Sequence, residues 1–547
     1  MIIDKHVCTC YNVLNPAGME VHPAKYQKGA EQIMKRILCL TLALCLLLPA
    51  LALADSKDIL NTEGELPIVK EPITMSIFGK QGAIHAEWST MDFFKKYQEM
   101  TGITLEFNQI PSQGYDDNKA MMWTQEKYDD MLVAPALSGT EIIKYGDQGV
   151  LIPLEGLLKE YAPNYTALME KYPDIEGRIT APDGHIYALA AIIAVNAART
   201  EKIWCNKAWL DANDLAVPTT FEDLENVLRV FKTYDADGNG EADEIPIAAA
   251  DLNFWFDTMA GMFGLQYQFG QEMNLSEDGK TLSTWLTSDQ FKAMLQWSNK
   301  MYAEGLLDPD IFTQEYSKFN AKMSGKKMGI FFNQADDAFD SSDYIGIAPF
   351  AGMSDKVYVQ SGPVARDMGT FAITADCEYP EAAIRWIDYL FSEEGSYLMR
   401  YGIEGKTWTR DENGYPVYVD GILNNPNGSG PTIAQFCIWP GGGSPQYLND
   451  HNCIAACSPT TQAAQAALDP YMDYVLYAEP LFDADVNERL QILDGDISTY
   501  MKSCAAKFIR GEMNFDSDWD TYVKTLNGMG LDEWVGIYQT RLDSYQK

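Results

Sequence analysis

Histidine is scarce in this chain: five residues in 547, of which only His85, His185 and His451 follow residue 54. None lies in a His-Glu-x-x-His order, which excludes the zincin class of metalloprotease. Gly-x-Ser-x-Gly is absent, so the common hydrolase elbow is missing, and no Gly-x-x-x-x-Gly-Lys-Ser/Thr loop is present to cradle a nucleotide. Basic residues are few, 41 Lys and Arg against 78 Asp and Glu, and the formal charge of −37 excludes nucleic acid as the main partner. The ten cysteines are scattered, without the spacing of a disulfide framework; Cys453 and Cys457 with His451 lack the second close pair of a zinc site. Repeats and low-complexity tracts are absent too.

What the chain does have is an acidic loop, Asp235-Ala236-Asp237-Gly238-Asn239-Gly240-Glu241-Ala242-Asp243-Glu244, with oxygen donors at alternate positions around a glycine turn. Calcium takes six to eight oxygen ligands, and side chains at positions 1, 3 and 5 converge on one point when the backbone turns sharply, as Gly240 permits. Asp235, Asp237 and Asn239 then supply side-chain ligands, the Glu241 carbonyl a fourth, and Asp243 with Glu244 the rest. Position 12, where an EF-hand carries a bidentate Glu, is Pro246, so the loop is EF-like only in its first half. The competing reading is an acidic turn satisfied by water, since Asp, Asn and Gly are common turn residues.

Residues 34–54 run from Met34-Lys35-Arg36 through an apolar stretch, Ile37 to Leu53, to Ala52-Leu53-Ala54 before Asp55. That basic, apolar and small-residue order is a secretory signal peptide, and Pro49 and the short span argue against a transmembrane helix. Residues 1–33 have no such pattern and read as an upstream extension from a misplaced start, with Met34 the true beginning. No small residue precedes Cys39 or Cys45, so a lipobox is lacking. The length exceeds one ordinary core and calls for two lobes.

Alternation of Ile73, Met75 and Ile77, a helical stretch from Trp88 to Met100, and alternation of Ile103, Leu105 and Phe107 after Gly102 predict a βαβ opening. The right-handed crossover builds a mainly parallel sheet whose ligands sit beyond the carboxyl ends of the strands, where the loop Lys80 to Trp88 falls. Thr287-Ser288 caps a helix whose stripe is Phe291, Met294, Leu295, Met301 and Tyr302, with Trp297 off it and Gly305 at its end. A second helix starts at Pro380 and is expected to end at Gly395.

The acidic loop running into Glu244-Ile245-Pro246-Ile247 resembles that of bacterial extracellular solute-binding proteins of family 1, in the large lipoprotein-like carbohydrate-transport group that includes the alginate-binding proteins. Further blocks are similar in the same order: Gly146-Asp147-Gln148-Gly149, Ala181-Pro182-Asp183-Gly184-His185, Trp204-Cys205-Asn206-Lys207-Ala208-Trp209-Leu210, Tyr302-Ala303-Glu304-Gly305 and Tyr401-Gly402-Ile403-Glu404-Gly405. The likeness runs from about Pro72 to the C-terminus. It implies an α/β, two-lobed, periplasmic-binding-protein-like fold of type II with three interlobe crossings, near Ala190 to Asn196, Arg366 to Thr370 and Gly402 to Thr407. Lobe one is then 55–192 and 368–405, and lobe two 193–367 and 406–547. It also implies a structural calcium in the loop, secretion to the extracellular face of the membrane or the periplasm, and a monomer that meets the membrane only through its transporter.

On that footing the chain is the substrate-binding component of an ABC importer, not an enzyme, holding an oligosaccharide between its lobes for the permease subunits; the ATPase is another polypeptide. Sugar rings stack on aromatic faces, and the platform candidates are Trp88, Trp255, Trp408 and Trp439, those at 255 and 408 because the equivalent regions of the resembled proteins face the cleft. Trp204, Trp209, Trp386 and Trp534, in helical contexts, read as core. Arg199 and Arg366, beside the expected crossings, are candidates for hydrogen bonds to hydroxyls, with a salt bridge across the hinge as the alternative role. Two rivals stay open: a secreted glycosidase or lyase, whose carboxylate pair would be set by the fold and not by spacing, and a binding protein that presents its ligand to a sensor.

Overall fold

The computed structural model describes residues 59–196, 200–235, 240, 243–266, 272–336, 339–438, 443–454, 458–472 and 480–545. Segments 1–33 and 34–54 lie outside them. The chain begins with β1 (Ile73–Gln81), a helix (Asp92–Thr101) and β2 (Ile103–Pro111), paired in parallel from Ile73 opposite Ile103. Gly102 ends the helix at φ +75°, a left-handed turn that glycine adopts without strain, and so aims the chain into β2. β3 (Met131–Val133) and β4 (Leu189–Ile193) follow in the same sheet.

The chain then enters a second sheet. It lays down β5 (Lys202–Asn206), β6 (Ile245–Ala248), a hairpin of β7 (Met273–Leu275) and β8 (Leu282–Thr284), then β9 (Met328–Asn333) and β10 (Tyr344–Ile347). It returns to the first sheet as β11 (Ala365–Ile373), and after the hairpin β12 (Trp408–Arg410) and β13 (Pro416–Tyr418) it adds β14 (Tyr447–Leu448). The first sheet has the order β14-β4-β11-β3-β1-β2 and the second β10-β5-β9-β6. Parallel pairing joins β1 to β2 and β3, while β11 runs antiparallel to both β3 and β4.

Each sheet has its own core. Ile77, Phe94, Tyr97, Ile384 and Trp386 fill the first, and Leu228, Phe256, Met259, Phe291 and Phe332 the second. Long C-terminal helices, Ala484–Arg510 and Leu531–Tyr545, complete the second core with Met501, Phe508 and Tyr538. Trp204, Trp209, Trp386 and Trp534 are all buried.

Three local expectations need correction. Residues 406–448, expected in lobe two, stay with the first sheet: Ile422, Ile433, Cys437 and Ile438 sit in its core and β14 pairs with β4. Thr407 causes the turn back, because its hydroxyl donates to the Tyr401 carbonyl at 2.5 Å and accepts from Ile403 N–H at 2.9 Å. The chain reaches the second sheet only at the helix Pro459–Leu468, where Gly346 of β10 leaves room that a Cβ would take from Ala464. The helix from Pro380 stops at Leu390 and Ser392 caps a new one, Glu393–Tyr401. Gly395 stands in its first turn because a Cβ there would come within 1.8 Å of the Tyr389 carbonyl oxygen. Ser288 caps Asp289–Ala303 as expected, but Trp297 is buried, edge-on to Phe221 and stacked on Trp255, because this helix is covered on two faces.

Candidate functional site

A cavity of about 210 Å³ opens at the carboxyl ends of β1 and β3, lined by Lys80, Gly82, His85 and Trp88 from the first strand-to-helix loop. The loop is braced from β2. Gln109 accepts from Trp88 N–H at 2.6 Å and donates to Gln81, whose amide donates in turn to the His85 and Ala86 carbonyls. Gly79 makes the close packing possible, since a Cβ there would lie 1.8 Å from the Val133 carbonyl oxygen and 2.6 Å from the Trp88 ring.

The opposite wall is Ala134 and Ala136, which follow β3 with φ of +52° and +49°. Alanine in the left-handed region is strained, and such strain persists only where neighbours hold it. Here the Tyr115 hydroxyl donates to the Pro135 carbonyl at 2.7 Å and Lys119 Nζ to the Ala136 carbonyl at 2.9 Å, with Glu141 completing the lysine's pairing at 2.8 Å. These bonds fix the turn. Lys80, another lining residue, holds its Nζ 5.4 Å from the Tyr115 ring centre.

Ile438, Gly443 and Ser444 close the third side. Asp367, another residue at positive φ (+49°), lies in the irregular stretch of β11 between Arg366 and Phe371 and accepts from Gly443 N–H at 3.4 Å. Two atoms of the lining residues stand out: Trp88 Nε1 and Ser444 Oγ are buried and have no hydrogen-bond partner. Buried polar groups are almost always paired, so an orphan donor and an orphan hydroxyl in one cavity are the groups a polar ligand would complete.

On the second-sheet side a smaller cavity of about 20 Å³ lies between Glu201, just before β5, and Asp257 on the helix Leu252–Met262. Burial pushes Glu201 up to about 7, against the pull of Lys202 and Arg366, and burial with the charge of Glu201 pushes Asp257 up to about 8. Arg366 belongs to β11, so this strand carries residues toward both cavities.

The sequence candidates divide. Trp88 lies at the first cavity but is itself fully buried, and Arg366 acts on Glu201. Trp255 does not face a cleft: it is fully buried in the second core, stacked on Trp297 with ring centres 6.1 Å apart and donating to Ser298 Oγ at 3.0 Å. The buried face of its helix is Trp255, Phe256, Met259, Ala260 and Met262, with Asn253, Asp257 and Thr258 off it. Trp408 is 3% exposed, packed between Tyr397 and Tyr401 and donating to the Gly402 carbonyl, which makes it part of the turn that keeps residues 406–448 on the first sheet. Trp439 and Arg199 lie outside the described residues, as do Asp237, Asn239 and Glu241 of the acidic loop. Of the rest, Asp235 accepts from Gly240 N–H at 2.8 Å, Gly240 has φ +84°, Asp243 pairs with Lys327, and Glu244 is 9% exposed at the start of β6. Ala134, Ala136, Ser444, Glu201 and Asp257 escaped the sequence reading; isolated Ala, Ser and acidic residues carry no pattern until the fold assembles them.

The sequence pattern of the family described as bacterial extracellular solute-binding protein matches residues 83–397. The fructooligosaccharide ABC transporter substrate-binding protein FusA of Streptococcus pneumoniae serotype 4 is 25% identical over 500 residues, covering 87% of each chain. Its structure with kestose aligns over 87% of this chain and 99% of that one at a TM-score of 0.67 and 23% identity. The polygalacturonan/rhamnogalacturonan-binding protein YtcQ of Bacillus subtilis is 22% identical over 341 residues, 58% of this chain and 65% of that one. An extracellular solute-binding protein of Bifidobacterium longum subsp. infantis shares the fold at a TM-score of 0.75 and 22% identity, over 87% of this chain and 99% of the other. With two sheets, two cores and a cavity at the strand ends, and with the family pattern matching more than half of its length, the chain belongs to the bacterial extracellular solute-binding proteins.

Proposed function

We propose that this protein is the extracellular substrate-binding component of an ABC importer and that it takes an oligosaccharide between its lobes. The observation that carries the reading is the cavity at the ends of β1 and β3, with Trp88 Nε1 and Ser444 Oγ buried and unpartnered in its wall. A sugar supplies hydroxyls that both accept and donate, which is the chemistry an unpaired indole N–H and an unpaired hydroxyl call for. The likeness to FusA along most of both chains supports the same class of solute.

In this reading the open form presents one wall of the site on each lobe. Ligand binds the first wall, and closure is favoured because the closed form alone touches it from both sides. The permease takes up the liganded, closed form. The protein works outside the cell as a monomer after removal of residues 34–54, and reaches the membrane only through the transporter; among the described residues no helix is long and apolar enough to cross a membrane. Calcium, held by Asp235, Asp237, Asn239, the Glu241 carbonyl, Asp243 and Glu244, is a structural ion of the second lobe.

A glycan-panel thermal-shift screen tests the reading. A true ligand at one hundred times its dissociation constant stabilises the fold by about 2.7 kcal/mol. Hydrolysis or elimination products from any glycan, without stabilisation, would favour the enzyme instead.

A further inference from the structure

Glu201 and Asp257 have one orphan oxygen each: Glu201 Oε2 and Asp257 Oδ1 are buried and accept no hydrogen bond. Both side chains line the cavity of about 20 Å³, and Ile203, Met262 and Val359 around them have no side-chain donors. Gln360 reaches Asp257 by a side-chain hydrogen bond, while Thr258 Oγ1 donates to the Phe254 carbonyl at 3.1 Å and Lys202 Nζ to the Thr200 carbonyl at 2.8 Å, so the two orphan oxygens stay unmet. An orphan carboxylate oxygen keeps its full desolvation penalty until a donor arrives. The space admits about one water-sized group, which is a hydroxyl and not a sugar ring.

We infer that Glu201 and Asp257 form a hydroxyl-accepting subsite that admits a neutral hydroxymethyl or hydroxyl arm of the sugar and rejects a uronic acid carboxylate. This rests on the oligosaccharide reading and deepens it. A neutral hexose and its uronic acid differ by a CH₂OH exchanged for a carboxylate, an acceptor without a proton. Once the pair is ionised, the hydroxyl donates to either oxygen as a charge-assisted hydrogen bond, and the carboxylate meets two acceptors of its own sign in a site with little water. The relatives include both a fructooligosaccharide binder and a polygalacturonan binder, so the choice between neutral and acidic sugar is open within the family and this pair makes it here.

The charges that face the pair set its pH dependence. Lys202 and Arg366 face Glu201, and Glu201, Asp251 and Glu272 face Asp257, which Gln360 also reaches by a side-chain hydrogen bond. Burial outweighs the two cations, so the carboxyls give up their protons near pH 7 and 8. Rejection of a uronate therefore strengthens as the pH rises from about 6 to about 8.5, because the subsite gains charge over that interval.

The test is calorimetric titration of the full chain with the tightest neutral glycan of a panel headed by kestose, and with the same glycan after oxidation of its primary hydroxyls to carboxylates. Wild type should prefer the neutral form, by a ratio that grows between pH 6 and 8.5. Glu201→Gln and Asp257→Asn should each weaken the neutral glycan roughly tenfold, narrow the ratio and flatten its pH dependence. Equal affinity of wild type for both forms at pH 8.5, or a ratio unmoved by pH or by variants that melt normally, overturns the subsite and leaves the oligosaccharide reading standing; that is also the result if a bound water alone fills the cavity. Failure of every glycan on the panel overturns the oligosaccharide reading itself, and the subsite with it.

Discussion

Trp88 Nε1 and Ser444 Oγ, far apart in the sequence, share the wall of one cavity, and neither has a hydrogen-bond partner. Such groups lower stability in the free protein and contribute only when a ligand completes them. Ser444→Ala should therefore leave the melting temperature unchanged or slightly raised, while weakening glycan binding about fivefold to tenfold. Calorimetry beside thermal melting checks this. A large loss of stability with unchanged affinity would make Ser444 a structural residue.

The two buried candidate tryptophans should behave in the opposite way. Trp255→Ala removes a ring stacked on Trp297 together with the hydrogen bond to Ser298, and Trp408→Ala unseats the turn between Tyr401 and the β12–β13 hairpin. Each should cost about 3–5 kcal/mol in urea unfolding, as aromatic-to-alanine core changes do. Any loss of sugar affinity should then follow the loss of folded protein and not precede it.

Stability should be highest in the acid range and fall toward neutral pH. Burial pushes Asp388 up to about 6, Glu201 and Glu272 to about 7 and Asp257 to about 8. Between about pH 4 and 8 the folded chain thus holds protons that the unfolded chain has released, so stability falls as the pH rises. The net charge of −37 adds self-repulsion in the same direction. Below about pH 4 the sign reverses, since carboxyls such as Asp340, held down to about 2 by Lys326, must be protonated on unfolding. The melting temperature should peak near about pH 4 and drop by several degrees toward pH 8. A flat or rising profile over that range would contradict the assignment.

Calcium in the acidic loop, as proposed, is a clip on the second lobe and not part of the sugar site. The loop enters β6 at its amino end, whereas Asp257 belongs to the helix beyond the other end of that strand. Chelation should lower the melting temperature, and Asp235→Ala should reproduce the drop in calcium buffer, with sugar affinity at low temperature kept within a few-fold. Loss of sugar binding by a chelated protein that stays folded would place the ion at the cleft.

The opening β-strand, helix and β-strand were legible because alternation in Ile73, Met75 and Ile77 and the left-handed Gly102 are local signals. So was the capped helix Asp289–Ala303. Which face of a helix meets the core was less so: Trp255 lies in a largely apolar helix whose buried side its sequence does not single out, and Trp297, off the main stripe, is buried by a second layer. The path after Tyr401 was illegible since its short helices and hairpin carry no sustained period, and only Thr407 and β14 reveal that it remains on the first sheet. The strained Ala134 and Ala136 and the pair Glu201 and Asp257 arise from strand ends meeting in space, which no spacing along the chain encodes.

The most direct test of the central claim is small-angle scattering joined to calorimetry on one sample, titrated with a neutral oligosaccharide such as kestose. Saturable binding, with a decrease in radius of gyration that tracks occupancy and weakens in Ser444→Ala, is the predicted result. Absence of both binding and compaction across neutral and acidic oligosaccharides would contradict the account of this protein as an oligosaccharide-binding component of an importer.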